Sequence, residues 1–220
     1  MKKYNFFVFD MDGTLYYSRQ MRLTMFKELL IYYLFRPWKL YDLYILYVFR
    51  KMRDSDEFAN AKHESIEHEQ YLQVTKRLNV SEERVRKVID KWIFNDSLKI
   101  LYPCRDVELV EFIKSIPTSM WTIYSDYPSD DKLKALGLPA NKTYSSTDAE
   151  INHMKPNPEG LLYILKRHGI DKSDCLFIGD RDDRDGECAR RCGVDYLILP
   201  KNHLERQNII RDFIITQKEL

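Results

Sequence analysis

Residues 4–14 read Tyr-Asn-Phe-Phe-Val-Phe-Asp-Met-Asp-Gly-Thr. The run over 4–9 has the length of a strand and almost no polar alternation. Such a pattern predicts a strand covered on both faces, as in a parallel sheet. Asp10 and Asp12 follow it at once, and Gly13 marks a sharp turn away from the strand end. Open parallel sheets bind their ligands beyond the carboxyl ends of the strands. The stretch therefore sets a pair of carboxylates where chemistry is done.

Working outward, the pattern changes at about residue 16 and stays helical to about residue 102, with no convincing strand. Pro37 separates two helices, or sits in the first turn of the second. Residues 51–60 are polar and read as a turn region, and 62–78 as a helix with Ile66, Tyr71, Val74 and Leu78 inward. The clearest helix is 81–94. Ser81 is a good N-cap, Glu82 and Glu83 fill the first turn, and Val85, Val88, Ile89, Trp92 and Ile93 make one apolar face. From residue 106 strands and helices alternate. Helices are predicted over 106–115, 129–136, 157–167 and 186–192, the last three stopped by Gly137, Gly169 and Gly193. Strands are predicted over 120–124, 143–145, 175–178 and 194–199. The fold class is thus α/β, a Rossmann-like parallel sheet with an all-helical block inserted after the first strand. The division is 1–15 and 103–220 for the core, and 16–102 for the insert.

The composition agrees. At about 150 residues per domain, 220 residues fit one domain with a large insertion, or two modest domains. With 44% hydrophobic and 31% charged residues, the chain is neither disordered nor polytopic. Its formal net charge of +1 supplies no global field for nucleic acid, so no nucleic-acid partner is expected. Cys104, Cys175, Cys188 and Cys192 form no closed metal set and read as free thiols in a reducing cytoplasm. The N-terminus shows no signal peptide, and the expected location is cytoplasmic. The anomaly is aromatic: nine rings lie between residues 26 and 49. Arg36, Lys39 and Asp42 interrupt this stretch and exclude a spanning helix. Leu40, Leu43, Tyr44, Tyr47 and Val48 can share a helical stripe. Three readings stay open for it: the core of a helical lid, an aromatic pocket for a sizeable leaving group, or peripheral contact with a membrane or partner through 26–53. Oligomeric state is not legible.

The strand ends carry the rest of the chemistry. Ser125 ends one strand, Lys155 follows another, and Asp180 with Asp182, Asp183 and Asp185 follows a third. Oxygen-only carboxylate ligands suit Mg²⁺. One carboxylate can attack phosphorus while its neighbour protonates the leaving oxygen. Ser125 can donate to a phosphoryl oxygen and Lys155 can neutralise charge. Asp126 is a further candidate for substrate or metal, with a helix cap or surface turn as its ordinary reading. The five histidines show no ligand spacing; His153 lies close enough in sequence to Lys155 to approach the site.

This set resembles the haloacid dehalogenase-like hydrolase superfamily. The likeness rests on Asp10-Met11-Asp12-Gly13-Thr14, Ser125, Lys155-Pro156, and Gly179-Asp180 through Asp185. It implies an aspartyl-phosphate on Asp10, with Asp12 as general acid and then base. It implies Mg²⁺ held by Asp10, the backbone carbonyl of Asp12 and Asp180, supported by Asp185, with Asp183 as the spare. Ser125, Lys155 and Asp126 fall at the phosphoryl group. The helical insert resembles the family's first-class cap. Dehalogenases of the superfamily lack a carboxylate at the position of Asp12, so its presence favours phosphoryl transfer. The expected activity is Mg²⁺-dependent hydrolysis of a small organic phosphate, sugar or lipid-linked among the candidates. The alternatives are a phosphomutase or a non-enzymatic binding module built on the cap.

Overall fold

Strand β1 (Phe6–Phe9) is buried along its whole length because its alternate side chains enter two different cores. Phe7 and Phe9 face one side and Phe6 and Val8 the other. The structure is a computed structural model, and it describes residues 2–218. β1 is the middle of a five-stranded sheet in the order β3-β2-β1-β4-β5, where β2 is Trp121–Ser125, β3 Thr143–Ser145, β4 Cys175–Gly179 and β5 Asp195–Ile198. All four pairings are parallel, so every carboxyl end points the same way. The order turns back on either side of β1, which places Asp10 at the switch point of the sheet.

Six helices follow β1 before the chain returns to the core: α1 (Ser18–Leu34), α2 (Tyr41–Arg53), α3 (Asp56–Asn60), α4 (Ile66–Leu78), α5 (Glu82–Ile89) and α6 (Asp96–Lys99). They form a cap-like insertion with no strand of its own. The short 3₁₀ turn at Pro37–Lys39 separates α1 from α2, since proline suits a first turn and cannot continue a helix. The polar stretch 51–60 is more helical than its composition predicts. α2 runs to Arg53, and α3 follows because the Ser55 hydroxyl caps it through Phe58 N and because Phe58 and Ala59 are buried. Ser81 caps α5 as its spacing predicts, but the regular helix stops at Ile89 and widens to a π-type segment, Asp90–Asn95. Val85, Val88, Ile89, Trp92 and Ile93 nevertheless all reach the core. The predicted stripe on α2 splits: Val48 is buried, whereas Leu40, Tyr44 and Tyr47 face solvent.

The crossovers back to the sheet are α7 (Val107–Ser115), α8 (Asp130–Ala135), α9 (Glu159–His168) and α10 (Glu187–Cys192). The last described helix, α11 (His203–Lys218), packs Phe213 edge-on to Phe7 and Phe112. No periodicity announced it, because its exposed face keeps Leu204 and Ile215. The four cysteines are buried free thiols. Among the described residues no helix is long and apolar enough to cross a membrane.

Gly160 lets α9 lie against β2. A Cβ there would stand 2.1 Å from the Tyr124 hydroxyl and 2.4 Å from its ring carbon. Gly160→Ala is therefore expected to lower unfolding stability by about 1–3 kcal/mol, the usual range for overpacking, measured by chemical denaturation.

Candidate active site

The loop after β1 is shaped before any ligand arrives. Asp10 N donates to Ile178 O at 2.8 Å, which ties the loop to β4. Gly13 has φ +100°, and a Cβ on it would lie 2.2 Å from Asp180 Oδ2. Only glycine satisfies both that torsion and that approach. From α11 the buried Arg206 donates to Asp106 Oδ2 and Gly13 O at 2.8 and 2.7 Å, and also to Thr14 O. The Thr14 hydroxyl in turn donates to Asp10 Oδ2 at 3.0 Å.

Lys155 stands at the centre, 2% exposed, and a cis peptide bond joins it to Pro156. Its Nζ donates to Asp10 Oδ1 and Asp185 Oδ1, both at 2.6 Å. Burial favours a neutral amine, but Asp10 and Asp185 outweigh it and keep the ammonium charged. Burial pushes the Asp10 carboxyl well up; Lys155 opposes this and the acids Asp185 and Asp180 add to it. Three carboxylates thus share one ammonium. Asp10, Asp180 and Asp185 each offer an oxygen within 4.8 Å of the others. Asp180 Oδ1 is buried and has no hydrogen-bond partner. Burial first, and Asp185 second, push its carboxyl up to about 6. An oxygen-only donor set with surplus negative charge and an orphaned carboxylate oxygen fits a hard divalent cation such as Mg²⁺.

Asp185 does more than pair with Lys155. Its Oδ2 accepts the backbone N–H groups of Asp180 at 3.2 Å and Arg181 at 3.1 Å, which fixes the acidic loop. Asp183 points outward to the Arg181 guanidinium at 2.8 Å. Of the two acids left open by spacing, Asp185 is the one that enters the cluster. Ser125 ends β2 inside the cavity, its Oγ accepting Tyr127 N at 3.3 Å. Asp126 lines the same cavity, but its Oδ1 accepts the Ser146 hydroxyl at 2.7 Å and Lys155 N at 3.3 Å. His153 turns away to the Ile151 carbonyl.

Asp12 has partners that no local pattern indicated. Lys132 of α8 donates to its Oδ1 at 2.5 Å, and the Tyr16 hydroxyl donates to the same oxygen. Burial would raise the Asp12 carboxyl, but the Lys132 charge and these hydrogen bonds take it below the usual carboxylate range. Two buried arginines fasten the cap to the same place. Arg184 donates to Lys155 O at 2.8 Å and to Asp54 O and Asp56 Oδ1 at 3.1 Å. Arg53 donates to Asp126 O and lies over the Tyr127 ring.

These groups open into a cavity of about 870 Å³. None of residues 26–49 lines this cavity; Ile31, Tyr32 and Phe35 instead line a separate one of about 400 Å³, with Trp92. Arg19 and Arg22 of α1 and Lys201 stand on its rim, and among the described residues no hydrogen bond or ion pair engages them.

Comparison with known proteins agrees with this architecture. A family model described as haloacid dehalogenase-like hydrolase matches residues 4–193. No curated protein matches the chain. Among solved structures, a 2-haloacid dehalogenase from Pseudomonas syringae pv. tomato is 15% identical with TM-score 0.58, over 97% of this chain and 99% of that one. The HAD-hydrolase YfnB of Bacillus subtilis, bound to magnesium, is 16% identical with TM-score 0.56, over 90% and 87%. A HAD phosphatase from Thermococcus onnurineus is 18% identical with TM-score 0.51, over 92% and 88%. At these identities the likeness shows the fold.

The raised Asp180 carboxyl makes a prediction about stability without metal. A folded pKa above the unfolded value imposes no penalty below about pH 4 and a full one once pH exceeds the folded value. In a chelator, Asp180→Asn is therefore expected to stabilise the protein by about 1–3 kcal/mol at pH 8, with the gain vanishing at acid pH. Added Mg²⁺ should raise the melting temperature of the native protein and leave that of the variant unmoved.

Proposed function

This chain belongs to the haloacid dehalogenase-like hydrolases, and from that premise we propose that it is an Mg²⁺-dependent phosphomonoester hydrolase acting through an aspartyl-phosphate on Asp10. The observation that carries the proposal is Asp12, a second carboxylate beside Asp10 in the same cavity, held by Lys132 and Tyr16. A halide leaving group takes no proton and has no use for it. An alkoxide does.

In this reading Asp10, Asp180 and the backbone carbonyl of Asp12 hold the metal, with Asp185 supporting them. The bound cation supplies positive charge against the phosphoryl oxygens. Asp10 attacks phosphorus; the Asp10–phosphorus bond forms and the bond to the leaving oxygen breaks. Asp12 gives that oxygen its proton. Water then attacks phosphorus, Asp12 takes the water's proton, and the Asp10 carboxylate departs. The Lys132 ammonium favours the ionised Asp12 that this second step needs. Approach of a phosphate dianion opposes that effect and favours the protonated form the first step needs. Lys155 and Ser125 hold phosphoryl oxygens. Asp126, whose charge repels phosphate, acts by positioning the Lys155 loop and Ser146.

Residues 16–102 form the cap that closes over this chemistry and excludes water from the phosphoaspartate. The cations Arg19, Arg22 and Lys201 on the rim match a leaving group that carries anionic charge of its own, such as a carboxylate or second phosphate.

Two outcomes test the mechanism. Asp10→Asn should form no acyl-phosphate and hydrolyse no aryl phosphate. Asp12→Asn should still accumulate acyl-phosphate from an activated aryl ester, trappable with hydroxylamine, while turnover falls about 10²–10⁴-fold. Burst-free, undiminished turnover in either variant sinks the proposal.

The rim is tested by Arg22→Ala. KM should rise roughly tenfold for phosphate esters bearing a second anionic group, with kcat/KM for p-nitrophenyl phosphate changed less than about twofold.

A further inference from the structure

The aromatic stretch that avoids the active site lies largely on the outside. α1 buries a narrow stripe, Met21, Met25 and Tyr33, and turns Leu23, Phe26, Leu30 and Leu34 to solvent three or four residues apart. The corner that follows leaves Phe35 69% and Trp38 74% exposed. α2 then presents Tyr41, Tyr44 and Tyr47 in a ladder, with ring centroids 5.9 and 6.3 Å apart. A free monomer rarely exposes so many large apolar side chains on two successive helices without a use for them.

Charge identifies the occupant. Leaving aside Arg19 and Arg22 on the catalytic rim and the buried Arg53, five Lys and Arg but two acids fall between residues 26 and 51, in a chain whose net charge is only +1. One of the acids, Asp42, is bound to Arg84 at 2.8 Å. Basic groups sit directly beside the rings: the Arg36 guanidinium is 4.4 Å from the Tyr32 centroid, Lys39 Nζ is 3.5 Å from the Tyr32 hydroxyl, and Lys51 Nζ is 5.9 Å from the Tyr47 centroid. Apolar side chains, rings with polar tips and adjoining cations are what an anionic lipid surface binds. A second copy of this chain would bring like charge against like. Nucleic acid would leave Leu23, Leu30 and Leu34 without partners.

We propose that the α1–α2 corner docks the protein on the surface of an anionic phospholipid membrane, with Phe35 and Trp38 at the acyl boundary and Arg36 and Lys39 among the phosphates. The docking does not depend on the proposed reaction, since none of these four residues lines the catalytic cavity.

Trp38 reports on it directly, because Trp92 and Trp121 are buried. The full chain is floated with phosphatidylcholine vesicles, with and without phosphatidylglycerol, at low and high salt, while tryptophan emission is recorded. The expected result is flotation and a blue shift with the anionic vesicles alone, weakened by salt. Arg36→Glu with Lys39→Glu should weaken binding more than about tenfold, and Phe35→Ser with Trp38→Ser should abolish it. Both pairs should keep the native circular dichroism spectrum and the Mg²⁺-dependent thermal shift. Failure to bind anionic vesicles at low salt overturns the proposal. So does binding that either pair leaves unchanged, equal binding to neutral vesicles, or a lipid-free blue shift that grows with protein concentration and marks self-association. A protein partner that holds this face against competing anionic vesicles also overturns it.

Discussion

The ammonium of Lys155, buried between Asp10 and Asp185, is the constraint on which the rest depends. Two carboxylates at 2.6 Å from one cation form a stable arrangement only if all three are delivered rigidly, since a buried ion without its partner is severely penalised. The parallel sheet does this. Asp10 leaves the end of β1, and Asp185 follows β4, its hydrogen-bonded neighbour. Lys155 arrives from the far side, and its Nζ also approaches the Tyr124 carbonyl of β2. One side chain therefore ties three strands at the point where the strand order turns back. The same electrostatics leaves the pocket short of positive charge. Three acids and one lysine make a cluster that is more comfortable with a divalent cation than without one.

Buried arginines extend this constraint outward. Arg206 spends its donors on the carbonyls of Gly13 and Thr14, Arg184 on the carbonyl of Lys155, and Arg53 on that of Asp126. All these carbonyls accept hydrogen bonds from charged donors, which are stronger than neutral ones. Each catalytic loop is thus held from behind by a guanidinium of a different element. Two of the three links join α2 or α3 to the core: Arg53 ends α2, and Arg184 reaches Asp54 and Asp56. The cap and the phosphate-facing loops consequently share hydrogen bonds, so their positions are coupled through direct, part-buried contacts.

The central strand and the loop behind it were legible because their signal is local. An unbroken apolar run predicts two-sided burial, and Asp-x-Asp-Gly-Thr behind it needs no knowledge of distant residues. Glycine stops at 169 and 193 were legible for the same reason, as both adopt the left-handed conformation that ends a helix. The partners of Asp12 were not. Lys132 is 120 residues away and sits among Asp130, Asp131 and Lys134, where the pattern is that of any solvated helix face. Arg184 looked like a loop cation beside acids, yet it is almost wholly buried. Helix α3 was hidden by polar composition, because its burial rests on only Phe58 and Ala59.

The aromatic excess shows how one composition serves two environments. Tyr33 is buried with its hydroxyl accepting Trp92 Nε1 at 3.0 Å, and Phe49 packs against Tyr71. These rings build the cap's own core. Tyr44 and Tyr47 flank the buried face that Ile45, Val48 and Phe49 make on the same helix, and Tyr41, although in phase with that face, is exposed at the helix start, its hydroxyl 3.5 Å from Leu78 O. A sequence window counts both sets alike. Cations stack on both sets, Arg86 on Tyr71 at 4.0 Å and Lys51 on Tyr47 at 5.9 Å. What separates the sets is exposure: the outward rings face solvent together with Arg36 and Lys51, where an anionic boundary can reach both.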